Sequence, residues 1–410
     1  MSNADMAASA SSAIPPVETP FRATMALCFL VAIIEGFDIQ AAGVVAPRLA
    51  PALGLGPAEM GLFFSSATLG LIAGAVIGGR MADRFGRKAT LIPALLLFGL
   101  FSLGTAFADG FTGLFVMRFM TGLGIGGAFP SLIAIVAENA RSGRIAAAVA
   151  ALYAGLPAGG AVASLVSTLG AHGGWQIIFI IGGIAPLFVA PLLYWILPHD
   201  RPAPRSPEAR ATPLAALFGR TNLNNTLLLW LGFFCALGVH GLLLNWLPTL
   251  LVTRGIDKAG AGIVQILFNV AGATGSVFAG RAMVTFRPRL VVAAAFAGLA
   301  LALAIIADAP AQLGFMLAAG VFVGLGSMGV QGIIYGLAPR LYPTEARGTG
   351  VGAAMAVGRF GSVVGPIFAG FLMAAGGGSA GVLLGVLPIV LVGGIATFAI
   401  INRDQQSKLS

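Results

Sequence analysis

Twelve apolar stretches of about 20 residues each, separated by short polar loops, make up most of this 410-residue sequence. About 20 consecutive apolar residues are needed for one helix to cross the hydrocarbon core of a bilayer. Only 9% of the residues are charged and 58% are hydrophobic, whereas soluble domains carry roughly 25% charged residues. The sequence therefore predicts an all-α polytopic membrane protein with twelve transmembrane helices. We expect these helices near 24–46, 59–82, 89–108, 111–137, 145–170, 175–197, 223–252, 259–283, 289–308, 311–338, 346–375 and 379–402.

The longest polar stretch divides the predicted helices into two sets of six. It is rich in Arg and Pro, and we interpret it as a cytoplasmic linker. Short patterns recur in the two sets at a near-constant offset, as expected of a transporter built from an internal duplication. The predicted fold is therefore two pseudo-symmetric six-helix bundles. The predicted division is a disordered cytoplasmic tail at 1–21, bundles at 22–198 and 223–402, the linker at 199–222, and a tail at 403–410.

The formal net charge of +9 comes from basic residues that lie mainly in the loops. Eighteen of the 23 Lys and Arg residues fall on the side of the N-terminus and three on the other side, which leaves Arg118 and Arg359 inside the membrane. Cytoplasmic loops carry such an excess of Lys and Arg. We therefore expect both termini to be cytoplasmic, and we expect no nucleic-acid partner.

Two acids, Glu35 and Asp38, lie in the first apolar stretch. A carboxylate near the centre of a bilayer costs several kcal/mol, so such residues are rare and usually functional. Their spacing of three residues places both on one face of a helix. A membrane protein with two acids on its first helix is most simply one that moves protons or other cations.

The loop between the second and third predicted helices is densely charged. From Gly79 to Lys88 it reads GRMADRFGRK, which resembles G-x-L-A-D-R-x-G-R-K, the signature of the major facilitator superfamily, with Met81 in the usual Leu position. An acid at a helix end among basic residues can hold neighbouring helices in one state and release them in another. The charges of the tenth loop are interpreted in the same way. The candidate gating residues are Asp83, Arg84, Arg87, Lys88, Glu345 and Arg347.

The two intramembrane arginines lie in different contexts. The stretch from Arg118 to Pro130 reads RFMTGLGIGGAFP and resembles the superfamily pattern R-x3-G-x-G-x-G-x3-P, in which alternate glycines thin two helix faces for close packing. Arg118 either has a coupling or binding role, or it reaches the membrane surface or a backbone carbonyl. Arg359 lies about three turns inside an otherwise apolar helix, so it needs an anionic partner, either a protein acid or a carboxylate substrate.

The most specific pattern is in the first predicted helix, where residues 35–43 read EGFDIQAAG. This stretch resembles the D-G-Y/F-D motif of the aromatic acid:proton symporter family, with Glu35 in place of the first Asp, and the resemblance covers essentially the whole chain. It implies that Asp38, Glu35 and Arg118 take part in proton coupling and that Arg347 and Arg359 matter for transport. It also implies a multi-pass protein of the bacterial cytoplasmic (inner) membrane.

A substrate with an aromatic ring and a carboxylate needs an apolar slot and a cationic anchor. Hydroxyphenylpropionate, hydroxybenzoate, protocatechuate and gallate-like acids all fit this description. The polar candidates fit equally well as simple hydrogen bonds between helices, and we expect His240 to be a packed neutral histidine rather than a proton relay. The candidate substrate-binding residues are Arg359, Asn245, Trp246, Gln265, Asn269, Gln331, Tyr335, Tyr153 and Phe37.

We therefore predict a monomeric proton-coupled symporter that imports an aromatic carboxylate by alternating access. Protons are the coupling ion, and we expect no other cofactor, no metal site and no catalytic residues, so the chain is not expected to be an enzyme. The alternative is a proton antiporter that exports a drug or metabolite. The stretch from Gly155 to Gly160, GLPAGG, faintly resembles the antiporter signature G-P-x-x-G-G.

Overall fold

A computed structural model describes residues 21–140, 144–170, 174–197, 218–219, 223–342 and 346–406. The predicted N-terminal tail, apart from Phe21, and most of the predicted linker lie outside these residues. Twelve helical spans in the described part are long and apolar enough to cross a membrane, which confirms the predicted all-α fold. The helices are α1 Phe21–Leu53, α2 Pro57–Phe85, α3 Arg87–Thr105, α4 Phe111–Asn139, α5 Ile145–Leu169, α6 Gln176–Ile196, α7 Leu223–Thr253, α8 Lys258–Thr285, α9 Pro288–Asp308, α10 Leu313–Leu337, α11 Arg347–Ala374, α12 Gly378–Gly385 and α13 Leu387–Gln406.

Two of the helices differ from the predicted bounds by more than three residues. Helix α1 continues through two prolines to Leu53, because each proline removes only one hydrogen bond while Val45 and Leu49 remain buried in the core. The twelfth span is divided between α12 and α13, and the break falls just before Pro388, whose nitrogen has no hydrogen to donate to the preceding turn. Helix α13 then runs to Gln406, into the stretch predicted to be a tail.

Helix α4 packs closely against two neighbours through its alternate glycines. Any side chain at Gly122 would collide with the backbone of Ala67 in α2, and any side chain at Gly124 would collide with the backbone of α3 at Phe98. The glycines therefore thin two faces of α4, as the sequence pattern indicates. Close packing on these two sides leaves Arg118, on the same helix, buried inside the first bundle.

The two six-helix halves meet at one end of the molecule. We call the side of the membrane on which α1 begins the termini side and the opposite side the far side. In α2, Gly61 packs against Pro366 and Gly370 of α11, and Ser65 donates a hydrogen bond to the carbonyl oxygen of Val363 at 2.6 Å. These residues belong to the far-side portions of their helices, so the halves are closed against each other on the far side.

Two further contacts between the halves lie on the far side as well. Gly43 of α1 lies against the backbone of Leu244 and Asn245 in α7, and Gly262 of α8 lies against the side chain of Thr168 in α5. The contacts involve glycines because only a residue without a side chain allows such close approach. On the termini side of these contacts, residues that face across the two halves, such as Tyr153 and Arg359, keep part of their surface accessible.

Candidate functional site

Asp38 and Arg118 form a fully buried ion pair inside the first six-helix half. Arg118 Nη1 donates to Asp38 Oδ2 at 2.6 Å, and Nη2 donates to the Asp38 carbonyl oxygen at 3.0 Å. The hydroxyl of Ser102 in α3 donates to Asp38 Oδ1 at 2.6 Å, and the guanidinium lies 5.5 Å from the ring centre of Phe179 in α6. Arg118 therefore bonds a backbone carbonyl, one of the alternatives open for it, and pairs with an acid as well, in an arrangement that ties four helices together.

Glu35 has a different environment, although it is only three residues from Asp38. Its side chain is completely buried, and neither carboxylate oxygen has a hydrogen-bond partner in the described part of the chain. Arg359 of α11 lies close enough to act on it electrostatically. Residues three apart on a helix differ by about 60° in direction. Here that angle turns Asp38 into its own half and Glu35 toward the other half, so the two acids do not share one environment as their spacing suggested.

Arg359 is the common neighbour of a group of titratable side chains from both halves. Electrostatic interactions link it to Glu35 on α1, Tyr153 on α5, His240 on α7 and Tyr335 on α10. We call these five residues the central cluster. All except Glu35 retain some accessible surface although they lie within the bundle, as expected of side chains that line a cavity. The cluster lies on the termini side of the far-side contacts.

Aromatic packing fixes the two tyrosines of the central cluster. The Tyr335 ring meets Phe233 edge to face with centres 5.0 Å apart, and the Tyr153 ring meets Phe129 in the same way at 5.1 Å. Such pairs contribute about 0.5–1.5 kcal/mol beyond their area burial. Gln331 lies one turn before Tyr335 on α10, and its Nε2 is buried without a partner in the described residues. The site therefore combines aromatic walls with unpaired polar atoms and one guanidinium.

Two predicted substrate-binding residues, Gln265 and Asn269, join the two halves through hydrogen bonds with Gln40. Gln40 of α1 and Asn269 of α8 exchange two hydrogen bonds, at 2.9 and 2.8 Å. Gln265 Nε2 donates to Gln40 Oε1 at 3.2 Å. All three side chains are buried. We call this group the amide clasp, and it lies at the inner edge of the far-side contacts.

Three other candidates lie apart from the central cluster. Trp246 is buried among the far-side contacts, where its Nε1 donates to the Pro366 carbonyl at 3.0 Å and its ring meets Phe64. Asn245 donates to a carbonyl of its own helix at 2.8 Å. The Phe37 ring lies near Gly182 of α6, inside the first half. The structure therefore gives these three side chains packing contacts, with no contact to Arg359 among the described interactions.

The candidate gating charges lie on the termini side of the molecule. Arg87 forms an ion pair with Glu138 at the end of α4, a partner that the sequence analysis did not name. Lys88 Nζ donates to the carbonyl of Leu197 at the end of α6 at 2.7 Å, where the helix dipole favours a cation. Asp83, Arg84 and Arg347 are exposed, and Glu345 lies outside the described residues.

The glycines that resembled an antiporter signature have a packing role in this structure. Any side chain at Gly159 would collide with the backbone of Ile33 and Phe37 in α1, and any side chain at Gly160 would collide with Gln40. The requirement for small residues in this stretch therefore follows from the close approach of α5 to α1.

A duplicated twelve-helix bundle with a cluster of titratable side chains shared between its halves is typical of a secondary transporter. The family model of the Major Facilitator Superfamily matches residues 28–264 and 229–409, and the chain belongs to this superfamily. It is a membrane-embedded transporter and not an enzyme.

Individual transporters show which members of the superfamily this chain is similar to. The chain is 42% identical over 380 residues to the 3-(3-hydroxy-phenyl)propionate transporter of Escherichia coli (strain K12), covering 93% of this chain and 94% of that protein. It is 32% identical to the gallate transporter of Pseudomonas putida, covering 86% and 85%. These relatives confirm the predicted resemblance to aromatic acid transporters.

The fold itself matches solved transporter structures. A bacterial homologue of the human lysosomal transporter Spinster, in an inward-facing and unoccupied conformation, superimposes with a TM-score of 0.79 at 17% identity. The match covers 93% of this chain and 97% of that one.

Proposed function

We propose that this chain is a symporter that imports an aromatic carboxylate together with a proton across the bacterial inner membrane. The observation that carries the proposal is the position of Arg359, which faces the cavity and acts on the unpaired, buried carboxyl group of Glu35. The names of the relatives, which transport 3-(3-hydroxy-phenyl)propionate and gallate, support an aromatic carboxylate as the substrate. Tyr153 and Tyr335 supply aromatic walls for such a ring.

The proposed coupling rests on competition for one guanidinium. A deprotonated Glu35 and a substrate carboxylate are both anions, and Arg359 is the cation that acts on Glu35 from across the cavity. A buried charge is stable only when it is paired. The substrate therefore binds Arg359 when Glu35 carries a proton, and the substrate-free carrier returns with Glu35 deprotonated and paired to Arg359. One proton then moves with each monovalent anion, which makes the cycle electroneutral.

Asp38 has a different part in this scheme. Its carboxylate accepts hydrogen bonds from Arg118 and Ser102, so its charge is compensated within its own half whatever the state of the cavity. We propose that Asp38 fixes the orientation of α1, which also carries Glu35. A loss of the Asp38–Arg118 pair would then displace Glu35 relative to Arg359 and uncouple the proton from the substrate.

The proposed transport cycle uses the closed far side and the accessible termini side. If the termini are cytoplasmic, as the distribution of Lys and Arg predicts, the described conformation faces inward. Outward opening then requires the amide clasp and the contact of Ser65 with Val363 to separate. The Arg87–Glu138 ion pair lies on the cytoplasmic side in this orientation. We further propose that the carrier works as a monomer, because the cavity is formed within one chain.

Uptake of labelled 3-(3-hydroxyphenyl)propionate into membrane vesicles tests the proposal. We expect uptake to rise when the outside is acidified and to stop when an uncoupler is added. An antiporter would show the opposite dependence on outside pH. Arg359→Gln should abolish uptake, whereas Arg289→Gln, which removes an exposed arginine of α9, should leave it unchanged. Equal uptake by the wild type and the Arg359→Gln variant would refute the anchoring role.

A further inference from the structure

His240 is a member of the central cluster that the coupling scheme does not use. Its imidazole lies on α7, and Nδ1 is 3.0 Å from the hydroxyl oxygen of Ser327 on α10. The ring also stacks on Phe268 of α8, with centres 5.9 Å apart and planes inclined by 20°. Contacts on the edge and on the face therefore fix the orientation of the ring, which is more than simple packing of a neutral histidine requires.

The second ring nitrogen of His240, Nε2, is not held in this way by the described residues. It makes no hydrogen bond to any residue that the structure describes, and the side chain as a whole keeps part of its surface accessible. Nε2 is therefore available to a ligand group. Because Ser327 holds Nδ1, either tautomer presents Nε2 as a single oriented donor or acceptor.

His240 lies within electrostatic reach of Arg359. Both side chains keep some accessible surface, but they belong to different helices, α7 and α11. Gln331 lies one turn along α10 from Ser327, and its Nε2 is buried without a partner in the described part of the chain. A polar group that belongs to the ligand would satisfy these atoms, because unpaired polar groups in a buried site are costly.

We propose that His240, oriented by Ser327, binds a ring hydroxyl of the substrate while Arg359 binds its carboxylate. The inference rests on the proposed function and assigns the residue that would select a phenolic acid over the same acid without a ring hydroxyl. A phenolic hydroxyl can both donate and accept a hydrogen bond, so it suits either tautomer of the imidazole. Tyr335, whose ring is only partly buried, provides an apolar wall for the substrate ring.

The test compares two acids that differ only in the hydroxyl group. Binding of 3-(3-hydroxyphenyl)propionate and of 3-phenylpropionate is measured on the purified carrier by calorimetry. We expect the wild type to prefer the hydroxylated acid by about tenfold, the value of one hydrogen bond in a buried site. His240→Phe keeps the ring and its stacking on Phe268 but removes both nitrogens, so it should reduce the preference to about one while binding of 3-phenylpropionate persists.

Two further variants separate recognition from structure. His240→Gln retains a polar group on the side chain and should recover part of the preference, and Ser327→Ala should lower it. Ser362→Ala is the matched control, because the Ser362 hydroxyl donates to the Leu237 carbonyl instead of contacting His240. An equal loss of affinity for both acids, or an unchanged preference in His240→Phe, would overturn the proposal. Failure of the wild type to bind either acid would instead refute the proposed function.

Discussion

Replacing Asp38 by Asn should destabilise the carrier, and the structure gives the size of the effect. Two unit charges 2.6 Å apart attract by about 6 kcal/mol at an effective dielectric constant of roughly 20. Part of that attraction only offsets the cost of removing both charges from water. In buried ion pairs of other proteins, removing one partner costs about 3–5 kcal/mol, because the remaining charge is left without compensation.

A double-mutant cycle isolates the pair. We expect Asp38→Asn and Arg118→Gln each to lower the free energy of unfolding by about 3 kcal/mol or more. The double variant removes both charges and should lose less than the sum, with a coupling energy of about 2–3 kcal/mol. The assay is chemical unfolding in mixed micelles, followed by tryptophan fluorescence and checked by thermal unfolding.

The matched control for this cycle is Thr121→Val. Thr121 is also buried on α4, but its hydroxyl donates only to Met117 of the same helix, at 2.8 Å, so we expect a change of about 1 kcal/mol or less. If the losses of the two single variants simply added in the double variant, the ion pair would not be an energetic unit. The structural role assigned to Asp38 would then be wrong.

Three further predictions concern the regions around the central cluster. Gln40→Ala removes the centre of the amide clasp, so it should favour the outward-open state and raise labelling of cysteines introduced on the far side, whereas unchanged labelling would contradict a latching role. Charge reversal at one end of the Arg87–Glu138 pair, as Glu138→Lys, should slow uptake, and the combined swap with Arg87→Glu should restore part of it if pairing is what matters. Pro388→Ala supplies the missing backbone donor between α12 and α13 and should leave uptake unchanged while raising the thermal unfolding temperature slightly; a large loss of uptake would show that the break has a functional role.

The membrane fold was predictable from the sequence because it depends on length and hydrophobicity alone. A span needs about 20 apolar residues, and that requirement located all twelve spans to within a few residues except at two ends. Helix α1 extends to Leu53 because its prolines lie where the helix is held by packing. Pro388 is visible in the sequence, but hydropathy is averaged over a window and does not register the loss of one backbone hydrogen-bond donor. The break before Pro388 was therefore not predicted.

The residues of the site were largely predictable, but their pairing was not. The sequence marked Glu35, Asp38, Arg118 and Arg359 because charges are costly in a membrane. Which acid faces which arginine depends on how α1 is rotated between its neighbours, and residue spacing does not give this rotation. The same limitation explains why Trp246 was assigned to the cavity although it is buried in the far-side contacts.

Some partners were missed because their residue types are common in membrane helices. Ser102 contacts the candidate residue Asp38 at 2.6 Å, and Ser327 contacts His240 at 3.0 Å. Serines in such helices often bond only to their own backbone, as Ser164 does, so a serine alone gives no signal. Glu138 gave a clearer indication of its partner, because it is an acid at the end of α4 near a loop rich in Arg.

The central claim is that the substrate and a deprotonated Glu35 compete for Arg359, and proton uptake on binding tests it most directly. Calorimetric titration of the purified carrier with 3-(3-hydroxyphenyl)propionate, repeated in buffers of different ionisation enthalpy, measures the protons taken up per substrate bound. We predict a value that rises toward one with increasing pH in the wild type, and a value close to zero with binding retained in Glu35→Gln. Equal proton uptake by the two proteins, or none by the wild type at any pH, would contradict the account.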